Sequence, residues 1–218
     1  MFLIRELTEN IDFLVEKTKT GKKKLYVEGI IMQAEQKNRN GRIYPMGVLE
    51  PKVNKYIDEK VKTGGAFGEL GHPDGPTVNP SLTCHRFTSI IKEGNNFIGK
   101  AEVLTGDNGP GDKLANIISH GGRPGMSSRG LGSLKQVGEV MEVQEDFHLA
   151  TAGDIVIDPS APDAFVQGVM EGQEWIITPD GRYERFVSDS QKVIDKSVRE
   201  GNLTEAKDEI WGRFIKTL

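Results

Sequence analysis

Arg123-Pro-Gly-Met-Ser-Ser-Arg-Gly-Leu-Gly-Ser-Leu134 is the stretch on which the reading of this chain turns. Its glycines are too frequent for a helix, since each costs about 1 kcal/mol against alanine in a helix interior. Its apolar ends do not suit a free linker. Glycine allows tight backbone paths and the close approach of a second chain. A serine hydroxyl held in such a run could be presented to a substrate, although a glycine-rich turn with incidental serines has the same composition. A second stretch upstream shifts the balance: Gly68-Glu-Leu-Gly-His-Pro-Asp74 sets a histidine between a glycine and a proline.

Composition narrows the field. A chain of 218 residues can bury a sizeable core and fits one domain with appendages. Apolar residues make up 36% and charged residues 28%, the balance of a soluble globular protein. The net charge of −4 argues against broad contact with nucleic-acid phosphates. The one basic run, Lys22-Lys23-Lys24, reads as a solvated lead-in to a strand. No apolar run reaches the roughly 18 residues needed to span a bilayer, so no membrane partner is expected. Met1-Phe-Leu-Ile-Arg-Glu lacks the basic start and longer apolar core of a signal peptide. Cys84 is the single cysteine, which rules out a disulfide framework and suits a reducing cytoplasm.

Outward from the serine stretch, the pattern is mostly strands. Apolar residues at 2, 3, 7, 11, 13, 14 and 15 have roughly helical spacing, which predicts a helix over 2–18 as an N-terminal appendage, residues 1–24. Leu25–Ala34 reads as a strand, 46–62 as an amphipathic helix stopped by Gly64-Gly65, and Ala66–Leu70 as a short strand ending at His72. Leu82–Ile91 and Phe97–Leu104 flank Glu93-Gly-Asn-Asn96 as a hairpin. Asp112–His120 reads as a short helix, and Val137–Val143 and Phe147–Ile157 as two strands. Further on, Pro159–Ala164 resembles a helix start, Trp175–Ile177 and Arg182–Phe186 a hairpin, and 188–199 and 203–217 helices. The expected class is α+β: about six or seven short strands interrupted by two helices, with helices at both ends, forming a mostly antiparallel sheet or a small closed barrel.

Elimination leaves one workable chemistry. The histidines are His72, His85, His120 and His148, and no two stand at i, i+3 or i, i+4, so a metal site is not indicated. His120, after a helix, reads as a C-terminal helix cation, and His85 beside Cys84 as structural. Gly106-Asp-Asn-Gly-Pro-Gly-Asp-Lys113 fails the phosphate-loop pattern because no Ser or Thr follows the lysine. No cofactor is indicated. A serine with a histidine remains, in an order that carries no information because such constellations recur on unrelated folds. Gly125-Met-Ser127-Ser128-Arg129 departs from the Gly-x-Ser-x-Gly elbow of small-ester hydrolases.

These residues carry a resemblance. Leu25–Glu35, Asn38-Arg-Asn40, Tyr44-Pro45, Gly68-Glu-Leu70, His72-Pro73, Gly109–Ala115, Pro124–Ser133 and Pro159–Ala164 resemble, in order, the prohead core proteases of T-even-like tailed phages. That family is similar in fold to the herpesvirus assemblins, so the resemblance implies a small, mostly antiparallel β-barrel surrounded by helices. The resemblance covers roughly residues 25–166, the expected protease domain, and leaves 167–218 as a C-terminal hairpin with helices. It implies a serine endopeptidase that works in the host cytoplasm inside the assembling prohead. Scaffold core and capsid proteins would be its substrates, and a homo-oligomer is compatible with it. A non-enzymatic scaffold protein built on the same fold is the alternative.

The resemblance also implies roles. The first serine of Ser-Ser-Arg-Gly, Ser127, stands at the nucleophile, and His72 at the general base. Asp154, five residues before Pro159-Ser-Ala-Pro, stands at the group that orients the imidazole. His148 is its rival because the herpesvirus relatives use a second histidine there, and Glu69 and Asp74 are nearer His72 in sequence. Backbone N–H groups around Ser127, with charge from Arg129, would form the oxyanion hole. The family prefers Leu or Ile, any residue, Glu and then a small residue, so Leu203-Thr-Glu-Ala206 implies self-cleavage between Glu205 and Ala206. A substrate glutamate calls for a basic pocket, for which Arg129, Arg39 and Arg42 are the sequence candidates.

Overall fold

Gly125–Gly132 is a strand, β8, in the computed structural model, and all eight of its residues are buried. The structure describes residues 2–8, 11–17, 23–71, 75–156, 175–177 and 183–185. Glycine suits β8 because of what lies against it. A Cβ on Gly130 would fall 2.3 Å from the Phe147 ring, and one on Gly132 would fall 3.1 Å from the Phe147 backbone. The small residues let an aromatic side chain lie flat on the strand.

Two strands flank β8. β1 (Phe2–Thr8) pairs with it antiparallel from Phe2↔Gly132 to Thr8↔Met126. β11 (His148–Val156) pairs on the other side, with bulges near Thr151. A second sheet has the order β2-β3-β7-β6-β5, built from β2 (Ile11–Lys17), β3 (Lys23–Gln33), β5 (Phe67–Glu69), β6 (Thr83–Glu93) and β7 (Asn96–Val103). The sheets meet where Met126 and Phe87 converge over Gly153, whose Cβ would fall 2.3 Å from Met126 and 3.4 Å from Phe87. A single parallel bridge, Leu70↔Ile155, carries the chain from the end of β5 onto β11.

The helical reading of residues 2–18 is corrected: they hold β1 and β2, and β1 is an integral strand of its sheet. Glu6 is buried at 8% exposure two residues from Ile4 at 1%, which gives the two-residue period of a strand. No closed barrel ringed by helices is found among the described residues. Among the described residues the ladders remain open, and the fold is mostly β with two α-helices.

Those helices are α1 (Met46–Tyr56), which runs on through a π turn at Ile57–Val61, and α2 (Pro110–Ser119). Leu49, Val53 and Tyr56 bury one face of α1, as the 46–62 periodicity requires. The β6–β7 hairpin turns at Gly94, whose φ of +59° is the left-handed conformation glycine adopts without cost. Val137–Val143 is not one strand. Gly138, at φ +60°, turns β9 (Leu134–Val137) back along β10 (Val140–Val143), and β4 (Arg42–Ile43) pairs parallel to β10. β12 (Trp175–Ile177) and β13 (Tyr183–Arg185) form the expected hairpin. The helices expected at 159–164, 188–199 and 203–217 lie outside the described residues, as do Glu205 and Ala206. No described helix is long and apolar enough to cross a membrane.

Candidate active site

β8 pairs residue for residue with β1, so its side chains alternate regularly between two faces. Ser127 pairs with Asp154 on β11, and directly opposed residues of an antiparallel ladder share a face with Cβ atoms about 5 Å apart. Ser128 pairs with Glu6 and takes the opposite face. The two adjacent serines are therefore in different surroundings, and only Ser127 shares its face with Asp154.

Arg129, two residues along from Ser127, shares that face and is wholly buried. Its Nε donates to Asp154 Oδ2 at 2.5 Å, and its Nη2 donates to Asp154 Oδ1 at 3.1 Å and to Glu69 Oε1 at 3.0 Å. Nη1 donates to the Gly75 carbonyl and, at 3.5 Å, to that of Thr77. All five guanidinium N–H groups are thus engaged. That overturns the expectation that Arg129 lends its charge to an oxyanion or to a substrate glutamate. It is a clamp joining β5, β8, β11 and the 75–77 loop.

The clamp brackets the sequence position of the expected base. Glu69 precedes His72 and Gly75 follows it, and Arg129 holds both. Gly71 N–H donates to the Ile155 carbonyl at 2.7 Å, beside Asp154. His72, Pro73 and Asp74 themselves lie outside the described residues.

Asp154 accepts from the Glu69 backbone N–H at 2.9 Å as well as twice from Arg129, so about one of its four acceptor positions is left for an imidazole. Burial pushes its pKa up to about 6 against the opposing pull of Arg129. It is therefore ionised at neutral pH. Glu69 is equally buried; its Oε1 accepts from Asn79 N–H at 2.9 Å and from Arg129, whereas its Oε2 has no hydrogen-bond partner among the described residues.

Of the other sequence candidates, His148 is not brought to Ser127. It pairs with Leu131, four residues further along β8, or roughly 13 Å. It lies beside Lys52, Lys55 and Lys60, and burial and then Lys55 lower its pKa. Arg42 pairs with Glu6 at 3.2 Å, away from the Ser127 face. His120 follows α2, its Nδ1 2.9 Å from the Asn116 carbonyl. The sequence reading missed the Arg129 clamp; its signal was an arginine placed within a buried, glycine-rich strand.

His85 is structural, as its position beside Cys84 suggested. It is fully buried opposite Gly68, where a Cβ would fall 2.2 Å from the Gly153 carbonyl oxygen and 2.3 Å from the imidazole. Among the described residues its Nε2 makes no hydrogen bond, and burial lowers its pKa to about 4, only partly offset by the nearby Gly153 carbonyl. A histidine whose folded pKa lies below its unfolded value of 6.5 takes up more protons on unfolding. Stability from this group is then complete above pH 6.5 and falls as the pH drops toward 4, by up to about 3 kcal/mol. His85→Gln is expected to flatten the rise of the urea midpoint between pH 4 and 6.5, and an unchanged slope would refute the assignment.

Comparison with known proteins adds three findings. The family described as "Prohead core protein serine protease" matches residues 7–174. The "Prohead core protein protease" of Enterobacteria phage T4 is 50% identical over 143 residues, which is 65% of this chain and 68% of that protein. The solved structure of the bacteriophage T4 capsid assembly protease superposes with a TM-score of 0.70 at 40% identity. That superposition covers 72% of this chain and 98% of the other.

Proposed function

Because this chain belongs to the prohead core protein serine protease family, we propose that it is a capsid assembly protease in which Ser127 is the nucleophile and His72 the general base. The observation that carries the reading is the pairing of Ser127 with Asp154, beside a clamp that holds the chain on both sides of His72. His72 takes the Ser127 proton as the hydroxyl oxygen attacks the scissile carbonyl, then returns it to the leaving amine. Asp154 orients the imidazole and offsets its charge. Its fixed position and remaining acceptor site support that role, and its ionisation at neutral pH suits it. The Glu69 Oε2, which accepts no hydrogen bond among the described residues, favours Glu69 as the second reading for this post.

The substrates are scaffold core and capsid proteins inside the assembling prohead. Cleavage follows a glutamate in Leu/Ile-x-Glu before a small residue, and the chain's own Glu205–Ala206 bond is one such site. A peptide containing Leu-Thr-Glu-Ala is expected to be cut after its glutamate, with the products identified by mass. His72→Ala should lower kcat by at least about 10³-fold. Asp154→Asn should lower it by about 10³–10⁴-fold, and Glu69→Gln by less than about tenfold. The reverse order would assign the orienting role to Glu69. A folded chain inert toward this peptide and toward assembled proheads would return it to the class of non-enzymatic scaffold proteins.

A further inference from the structure

One face of β11 carries two clusters of charge, and the chemistry at Ser127 uses only one of them. His148 pairs with Leu131, which stands four residues from Ser127 on the regular ladder of β8 and so shares its face. The imidazole lies in a cleft between β11 and α1, among Lys52, Lys55, Tyr56, Glu59 and Lys60. Lys52 is half-buried, and Lys55 and Lys60 are exposed. Three ammonium groups and one carboxylate thus surround a half-buried imidazole, in a chain whose net charge is −4.

These charges are poorly neutralised within the fold. Glu59 meets Lys55 only at 3.8 Å, whereas Lys62, outside the cleft, is held by Asp58 at 2.6 Å. Among the described residues no carboxylate forms an ion pair with Lys52 or Lys60. Burial, and then Lys55, Lys52 and Lys60, lower the His148 pKa, with Glu59 opposing them. Lysines near the end of a helix offset its dipole, which accounts for Lys55 and Lys60 but not for an imidazole set among them. The π turn at Ile57–Val61 interrupts the helical register between those two lysines, and such turns recur at functional sites. The result is a pocket of positive potential that a bound anion would relieve.

The donors indicate which anion. Lysine is a point charge without the fork that grips one carboxylate or phosphate from two sides. The end of α1 nearest the cleft is its carbonyl end, which offers an anion no N–H. Lys52 and Lys60 are eight positions apart, about 12 Å along a helix. Charges spread in this way suit several carboxylates on an extended peptide. An extended chain running past Ser127 in the direction of β8 advances about 3.3 Å per residue, so its fourth residue comes level with His148.

We infer that this cleft is an exosite for substrate, in which Lys52, Lys55, Lys60 and His148 receive acidic side chains about four residues from the scissile bond. The inference rests on the reading of Ser127 as the nucleophile. The attraction is remote from the reacting carbonyl, so it acts on association and KM more than on kcat.

The test separates binding from cleavage. Pairs of fluorescent peptides containing Leu-Thr-Glu-Ala are titrated into the Ser127→Ala chain. Each pair compares glutamates with glutamines centred about four residues from the Glu–Ala bond, before it in one pair and after it in the other. The acidic member of one pair is expected to bind about tenfold tighter at low salt, and to lose most of that advantage at about 0.5 M salt. Replacing Lys52→Gln and Lys60→Gln together should cut the advantage to about twofold. The His148 imidazole resonance, assigned with His148→Gln, should titrate at higher pH in the complex. No acidic advantage in either pair overturns the inference. So does an advantage that survives the lysine replacements or leaves the His148 titration unmoved. An oligothymidylate that binds the cleft more tightly than the acidic peptide also overturns it, and assigns the lysines to nucleic acid. These measurements use a chain without its nucleophile, so the inference can fail while the unaltered chain still cuts Leu-Thr-Glu-Ala.

Discussion

Arg129→Met is expected to lower the stability of this protein by about 3–5 kcal/mol, the usual cost of removing one partner from a buried ion pair. Two wholly buried carboxylates, Asp154 and Glu69, would lose the guanidinium between them, and the carbonyls of Gly75 and Thr77 would lose a donor. The deficit has a pH signature. Without Arg129 the Asp154 carboxyl, already raised by burial, rises further, so the folded state holds a proton that the unfolded state has released. Stability should then fall as the pH rises from 5 to 8, making the loss in urea midpoint larger at the upper end. Arg129→Lys should recover little, since an ammonium offers three donors from one point where Arg129 uses five in a fixed fork. A deficit below about 1 kcal/mol, as at ordinary surface pairs, would contradict the clamp.

Ser127→Ala is expected to act in the opposite way, with a large effect on rate and little on stability. Removing the nucleophile of a serine protease costs about 10⁴–10⁶-fold in kcat, while loss of one small hydroxyl should change stability by less than about 1 kcal/mol. Ser128→Ala should retain activity within about tenfold, since Ser128 shares the face of Glu6 rather than that of Asp154. Cleavage of the Leu-Thr-Glu-Ala peptide by the two variants separates them.

Much of this was legible in the sequence, for physical reasons that can be named. Gly94-Asn95 marks the β6–β7 turn because glycine takes positive φ freely, and Leu49, Val53 and Tyr56 mark α1 by their spacing. Alternation within a strand already separates Ser127 from Ser128. What failed depended on partners distant in sequence. Residues 2–8 read as helical because the pairing that makes them a strand is with residues 126–132. Arg129 read as a free charge because its partners lie 25, 52, 54 and 60 positions away. Arg42 read as a pocket candidate, and its partner Glu6 lay in the segment assigned to a helix. Which edges pair was not legible either, since strand count alone does not decide it.

The central claim is that Ser127 is the reacting hydroxyl. The most direct measurement is peptide mapping by tandem mass spectrometry after treatment with a fluorophosphonate, on both the unaltered and the His72→Ala chains. A single adduct on Ser127 in the unaltered chain, lost in His72→Ala, is the expected result. An adduct on Ser128, or labelling of neither serine in the unaltered chain, would contradict the account.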